Sequence, residues 1–600
     1  MPSKAQVDTL ARLFWHNVSE FSRDPLLAAH VEGREISYSS ADFKQAVLAL
    51  ARHFQRQGLM GGERVAILSE NRPEWHIVDF AAHLAGLVVV PIYTTLSPAQ
   101  MRYMLAHSGS MAIAFSSAGQ RKLIAELRAD LPDLRLVMAM DELGPIFSEP
   151  VTPAEEDEIR RQSSMLHQDA VATIIYTSGT TGEPKGVMLT HGNITFDMRS
   201  AIERLDVGEL EQALSILPLS HVFERVFCYG HFFVGAAIAY GDPYDAINLL
   251  ARYRPEVMAC VPRILEKVHE TVLKQIDAFP ERKRELVRWL LRTGTEAIEF
   301  GLLGRQAKVS AKLVKPLADA LLFRKIREKL GGRMHAIVSG GAPLNPETAE
   351  FFYAAGVPVI EGYGMTETSP VIAVNPRGLA KLGRVGPPID GVEVKFAEDG
   401  ELLTRGPHVM KGYYKNDDAT AKAIRDGWLH TGDLGRFDEH GYIQITGRKK
   451  ELIVTAYGKN VAHEPIEMAL ARSPLIRNAV LVGDRRRFIS ALIVPDREIL
   501  LRVAESRGWT APDFETLLEG PEVHALYQTE IDTLQQDFAE FERVKQFRFI
   551  PEDVMQDPEI VTPTMKLRRG NLERRFSAQI EAMYAEPPAE EAPAAGATSP

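Results

Sequence analysis

The chain reads as an α/β protein with more than one domain, and three observations predict this. From about residue 30 to 330, short apolar β-branched runs alternate with amphipathic helical patterns. After about Glu393 the texture shifts to short strands separated by turn signals, and after Gly447 to a compact α+β pattern. The length of 600 residues exceeds what a single hydrophobic core ordinarily spans.

The elements follow in order. "DFKQAVLALARHFQRQG" predicts an amphipathic helix ending at Gly58, and "RVAILS" a strand. "PEWHIVDFAAHLAG" predicts a helix and "LVVVPI" a buried strand. Together they hold the longest apolar stretch, "HIVDFAAHLAGLVVVPIY", which Asp79 and His83 interrupt, so it reads as helix into strand and not as a membrane span. "AIVSGG" and "PVIEGYG" repeat a strand-to-glycine-turn pattern. "VEVKFAEDGELLTRGPHVMKGYY" and "GRFDEHGYIQITG" carry turns at "EDG" and "EHG" and predict a small β-rich subdomain. The expected organisation is a large N-terminal domain over 1–447, with a helical basic insertion at about 272–330, and a smaller α+β domain over 448–585. A Pro/Ala/Glu-rich tail over 586–600 is expected to be disordered. No fixed-period repeat occurs.

Composition is ordinary for a globular protein, 45% hydrophobic and 25% charged. A net charge of −11 argues against duplex nucleic acid as a partner. The two cysteines, Cys228 and Cys260, sit in apolar runs and read as small buried hydrophobes in a reducing compartment. The opening "MPSKAQVDTLARLFWHNV" shows no secretory signal, so a soluble cytoplasmic protein is expected. Against the overall charge, residues 282–329 hold thirteen Lys/Arg and five Asp/Glu, a balance of 13 − 5 = +8. Leu286, Trp289, Leu290, Leu302, Leu313, Leu317, Leu321 and Leu322 recur there at helical spacing. The segment reads as a solvated helical insertion, with peripheral contact to anionic membrane as its functional alternative.

Chemistry begins at "YTSGTTGEPKG", Tyr176 to Gly186. Apolar runs on both sides, "AVATIIY" and "VMLTHGNI", place it inside a core and not in a linker. Glycines allow close backbone approach to a ligand, and successive N–H groups form an anion-binding nest. Thr177, Ser178, Thr180 and Thr181 add hydroxyl donors around Gly179 and Gly182, and Lys185 adds a point charge. The pattern suits nucleotide phosphates. It is not a Walker loop, because Pro184 precedes the lysine and Gly186 follows it.

Further glycine-rich turns follow: "SGGAPL" from Ser339, "EGYGMTET" from Glu361, "GWLHTGD" ending at Asp433, "GRKKE" from Gly447 and "PTMKLRR" from Pro563. Their order and spacing resemble the adenylate-forming superfamily over nearly the whole chain. "VPIYTTLS", "LPLSHVFER", "VPRILEKV" and "TPTMKLRR" resemble its long-chain fatty acyl-CoA synthetase branch. The resemblance implies a large adenylate-forming domain of stacked α/β subdomains and a small mobile C-terminal domain. It implies ATP, Mg²⁺ and coenzyme A, and activation of a fatty acid through an acyl-adenylate.

It also implies roles for single residues. The first loop with Lys185 holds the β- and γ-phosphates, and Thr177 and Glu367 hold Mg²⁺. Thr366 meets the α-phosphate. Tyr363 stacks on adenine beside Gly364, with Gly340, Gly341 and Ala342 along its edge. Asp433 accepts both ribose hydroxyls, and Arg448 donates to the same ribose. Lys566 reaches the α-phosphate and the acyl carboxylate, His221 lies at the mouth of the acyl site, and Lys450 is the hinge that brings the face around Gly458 toward the nucleotide. Taken alone, Glu367 reads as a turn carboxylate, Tyr363 and His221 as core residues and Lys566 as part of a solvated helix face. Two rivals stand beside the CoA ligase. One is a fatty acyl-AMP ligase serving a carrier protein, whose relatives carry an extra segment not found between Thr404 and Gly447. The other is a non-catalytic lipid- or nucleotide-binding relative, which would be expected to lose Glu367, Asp433 or Lys566; all three are present. The sequence specifies no oligomeric state.

Overall fold

The structure is a computed structural model. It describes residues 7–31, 33–177, 184–206, 210–298, 308–449, 452–457, 459–551, 554, 557, 559–561 and 567–585. Ser178, Gly179, Thr180, Thr181, Gly182, Leu302, Lys450, Gly458, Lys566 and the tail 586–600 lie outside the described residues. The chain divides into two units. The larger comprises Met1–Ala397, Leu402–Thr431 and Phe437–Gln444, and the smaller comprises Glu398–Glu401, Gly432–Arg436 and Ile445–Pro600.

Two sheets organise the larger unit. The first runs in spatial order Gly412–Tyr413, Lys185–Thr190, Val171–Thr177, Val88–Ile92, Arg64–Leu68, Ser110–Phe115 and Leu136–Ala139. From Val171–Thr177 onward its pairings are parallel, and the strand Lys185–Thr190 is antiparallel to both of its neighbours. Val88–Ile92 is buried at every position, as its unbroken apolar run requires of a central parallel strand. The second sheet runs Ala373–Val374, Val359–Tyr363, Ala336–Ser339, Val257–Cys260, Gln212–Ser215, Ala237–Tyr240, Leu27–Val31 and Arg34–Tyr38. Only its outermost pairs are antiparallel. Cys228 and Cys260 are buried free thiols.

Three helices of this unit matter for the site. Helix α1, Pro73–Leu84, starts with proline in its first turn, where a missing N–H is harmless, and every residue is buried. Helix α2, His191–Leu205, is fixed by a capping box between Thr190 and Asn193. Helix α3, Val222–Val234, is capped by His221, whose ring accepts the Phe223 N–H, and ends at left-handed Gly235. Phe80 of α1 meets Tyr229 and Phe232 of α3, and Phe14 and Phe43 from two helices nearer the N-terminus join the same aromatic cluster.

Asp79 and His83, which interrupt the apolar stretch in the sequence, face Arg225 of α3. The Arg225 guanidinium donates to Asp79, to the Tyr229 hydroxyl at 2.7 Å and to Thr173 Oγ1 at 2.8 Å. Burial pushes the Asp79 carboxyl up, and attraction to Arg225 and then His83 reverses this, leaving it below the usual carboxylate range.

The basic segment forms helices α4, Glu281–Glu296, and α5, Val309–Ala318. Leu290 and Leu322 of this segment turn into the core, whereas Leu286, Trp289, Leu317 and Leu321 stay exposed and Leu313 is 80% exposed. Among the described residues no helix is long and apolar enough to cross a membrane.

The β-rich stretch of the larger unit includes an antiparallel hairpin pairing Glu393 with Arg405 and Phe396 with Leu402. In the smaller unit, Ile476–Val482 pairs antiparallel with Ile489–Pro495, which pairs parallel with Val544–Phe549. Helices His463–Leu470, Arg497–Arg507 and Pro521–Leu534 cover this sheet around Ile466, Leu500, Tyr527 and Ile531. The arrangement is α+β.

Candidate active site

The flanks of the glycine-rich loop are the two strands of a hairpin, and Thr177 pairs directly with Lys185. Gly186 has no room for a side chain: a Cβ there would lie 2.7 Å from Ile174 and 3.3 Å from the Tyr176 ring. The Tyr176 hydroxyl is 2.8 Å from His107 Nδ1, which fixes the strand that enters the loop.

The turns "SGGAPL" and "EGYGMTET" leave the carboxyl ends of neighbouring parallel strands, with Ser339 in register with Glu361. In open α/β sheets the ligand crevice lies at this end of the strands. A Cβ at Gly340 would meet the Phe223 ring at 3.5 Å and the Gly362 carbonyl at 3.7 Å. The first turn of α3, capped by His221, therefore stands against both turns. Gly341 has φ +84° and open space where a side chain would project. At Gly364 a Cβ would fall 1.6 Å from the Pro370 carbonyl oxygen, so only glycine fits.

After Tyr363 and Gly364 the chain forms the single turn Thr366–Thr368. The Thr368 hydroxyl accepts the Met365 N–H at 3.0 Å, and Asp197 of α2 accepts the Val371 N–H at 3.2 Å. Glu367 is buried, and its Oε1 accepts the Tyr413 hydroxyl at 2.8 Å. The Lys185 ammonium lies over the same Tyr413 ring, 5.1 Å from its centroid. The structure thus brings the lysine of the loop and the carboxylate of "MTET" to one aromatic side chain. Tyr413 has no motif of its own in the sequence; only its place at the end of "HVMKGYY" hinted at it. Glu361, at the head of the second turn, is held protonated by burial, its pKa raised to about 8.

In the smaller unit, Arg448 Nε lies 2.8 Å from Asp433 Oδ1. Asp433 is buried, and Glu401 accepts the Gly432 N–H at 3.0 Å next to it.

A carboxylate and a lysine gathered about one tyrosine suit a hard divalent cation and phosphate oxygens. An AMP-binding enzyme family model matches residues 14–414, and the model for the C-terminal domain of AMP-binding enzymes matches residues 450–587. The chain belongs to the AMP-binding enzyme family. Among members of this family, it is 36% identical to a long-chain-fatty-acid–CoA ligase, FadD15, of Mycobacterium bovis, over 92% of this chain and 93% of that protein. It is 31% identical to the peroxisomal long chain acyl-CoA synthetase 6 of Arabidopsis thaliana, over 98% of this chain and 87% of that protein. As an AMP-binding enzyme it also shares its fold with the O-succinylbenzoate coenzyme A synthetase of Bacillus subtilis solved with ATP and magnesium ion. That likeness has a TM-score of 0.67 and 22% identity, and covers 94% of this chain and 99% of the other.

Proposed function

We propose that this AMP-binding enzyme is a long-chain fatty acid–CoA ligase working through an acyl-adenylate. The observation that carries the reading is the convergence of Lys185 and Glu367 on Tyr413, in a chain related along most of its length to long-chain acyl-CoA ligases. A carboxylate is a poor electrophile. When it attacks the α-phosphorus of ATP, pyrophosphate leaves and the acyl carbon gains AMP as a good leaving group. Attack by the CoA thiolate on that carbon then forms the thioester and releases AMP. Charge builds up on phosphorus in the first step, so cations and aimed donors are the catalytic means.

The residues divide the work accordingly. Thr177, Ser178, Gly179, Thr180, Thr181, Gly182 and Lys185 bind the β- and γ-phosphates. Thr177 and Glu367 would hold Mg²⁺, which supplies charge neutralisation on the phosphate oxygens. The buried carboxylate of Glu367 is a fitting oxygen donor for it. Thr366 meets the α-phosphate. Tyr363 and Gly364 receive adenine, with Gly340, Gly341 and Ala342 along its edge. Asp433, oriented by Arg448, accepts the ribose hydroxyls. Lys566 serves the α-phosphate and the acyl carboxylate, Lys450 is the hinge residue of the small domain, and His221 borders the acyl entrance. The deciding experiment incubates the protein with ATP, Mg²⁺ and palmitate, with and without CoA, followed by mass spectrometry. Palmitoyl-CoA is expected when CoA is present. Adenylate accumulating equally in both would assign a fatty acyl-AMP ligase instead.

A second reading concerns the surface of α4 and α5. Leu286, Trp289, Val309, Leu313 and Leu317 project to solvent within the basic segment, a pairing of apolar and cationic groups that fits an anionic bilayer. Binding to vesicles containing phosphatidylglycerol should weaken with salt and with neutralisation of Arg282, Lys283, Arg284, Arg288 and Arg292. Binding indifferent to salt would end this reading.

A further inference from the structure

Tyr413 lies on the two-residue strand Gly412–Tyr413, which pairs antiparallel with the strand leaving the phosphate loop, Tyr413 opposite Val187. The residue is nearly enclosed, with 9% exposure. The surrounding backbone is pinned on several sides. The Tyr413 N–H donates to Thr420 Oγ1 at 2.9 Å, the Tyr414 N–H to the Gly186 carbonyl at 2.7 Å, and the Met410 N–H to the Glu367 carbonyl at 2.8 Å. Gly412 permits this close seating, because a Cβ there would meet Thr420 at 2.8 Å. The phenol is therefore held rigidly between the strand that begins at Lys185 and the turn that carries Glu367.

We propose that Tyr413 is a positioning residue for both charges of the phosphate site: its hydroxyl orients the Glu367 carboxylate toward a divalent cation, and its ring face seats the Lys185 ammonium. The proposal rests on the reading of Glu367 as a metal-holding residue. A carboxylate offers about four lone-pair positions, and the phenol donor on Oε1 takes one of them and restrains the orientation of the group. The ring centroid stands 5.1 Å from Lys185 Nζ, inside the roughly 6 Å range of cation–π attraction. One stiff side chain thus holds acid and base at set positions, where two flexible ones would be free to pair with each other and withdraw from the nucleotide.

The test separates the hydroxyl from the ring. Tyr413→Phe removes only the donor, Tyr413→Leu removes donor and π face, and Tyr413→4-aminophenylalanine restores a donor at the same place. Mn²⁺ binding in the presence of ATP is followed by electron paramagnetic resonance, and circular dichroism with thermal unfolding checks the fold. Tyr413→Phe is expected to weaken Mn²⁺ binding about 10-fold, the scale for losing an outer-shell partner of a metal ligand. Its ATP affinity at saturating metal should hold, whereas Tyr413→Leu should lower that affinity about 2- to 5-fold, the scale of one cation–π contact. The aminophenylalanine variant should recover Mn²⁺ binding, which a merely structural role would not require. Wild-type Mn²⁺ affinity in a folded Tyr413→Phe protein, or no recovery with the amine, overturns the proposal. Glu367→Gln distinguishes this failure from the failure of the underlying reading: if it binds Mn²⁺ as tightly as wild type, Glu367 is not the metal-holding residue at all.

Discussion

Arg225 and Asp79 form an ion pair that water does not reach, with side-chain exposures of 1% and 0%. The guanidinium is engaged by Asp79, Tyr229 and Thr173, so Arg225 clamps α3 to α1 and to the first sheet. Removing one member of a buried pair leaves an uncompensated charge at a cost of about 3–5 kcal/mol. Asp79→Ala should therefore lower stability by that order in urea unfolding. Trp75 is a convenient probe, since its ring lies 5.2 Å from the Arg225 guanidinium carbon. The double change Asp79→Leu with Arg225→Met should recover most of the loss.

Stability should peak near pH 6.5. Burial lowers His76 and His231 from 6.5 to about 3, and His269 and His408 to about 4. These rings bind fewer protons folded than unfolded, so stability rises with pH up to about 6.5. Burial raises Glu224 and Glu361 from 4.5 to about 8, so the folded state keeps protons that the unfolded state has released. Their contribution declines as pH climbs from 4.5 to about 8. Below 6.5 the buried histidines, with His83 and His191 lowered in the same way, outweigh the raised acids, Asp197 among them; above it the acids dominate, and stability falls. Melting temperatures recorded across this range give the profile, and a continued rise from pH 6.5 to 8 would contradict it.

Gly364→Ala should damage nucleotide binding selectively. Its Cβ would fall 1.6 Å from the Pro370 carbonyl, so the turn holding Thr366 and Glu367 must move. Overpacking of this kind costs about 1–3 kcal/mol, and every 1.4 kcal/mol expressed in binding is tenfold. Calorimetric titration with ATP and Mg²⁺ should show at least roughly a tenfold loss. Unaltered ATP affinity would mean that this turn is not part of the nucleotide site.

Lys566→Ala should slow fatty acid-dependent ATP–pyrophosphate exchange by about 10²-fold, the scale for losing one transition-state donor. Thioester formation from supplied acyl-adenylate and CoA should stay near wild type. Equal loss in both assays would deny Lys566 its assignment to the first step.

Much of the fold was legible because burial writes itself into local pattern. "LVVVPI" reads as a buried strand and "PEWHIVDFAAHLAG" as a helix, and both form as read. The glycine turns were legible because close approach leaves no alternative residue, as at Gly186 and Gly364. Tyr413 was not, since its role depends on two partners 46 and 228 positions away in sequence (413 − 367 and 413 − 185) and tyrosine carries no local signature. The Asp79–Arg225 pair was half visible: the sequence marked Asp79 and His83 as interruptions of an apolar run, but nothing local could name the cation that neutralises them across 146 residues.

The smaller unit is assembled from three separated pieces of chain, and this limits how the protein can be dissected. Lys449 is held by Asp399 at 2.5 Å and Glu401 at 3.1 Å, and Arg448 by Asp433 at 2.8 Å. A recombinant fragment starting at Gly447 would carry both cations and none of these three acids. Anyone excising the C-terminal part for separate study would do better to graft the 398–401 and 432–436 stretches back as a designed hairpin than to cut once at the apparent junction.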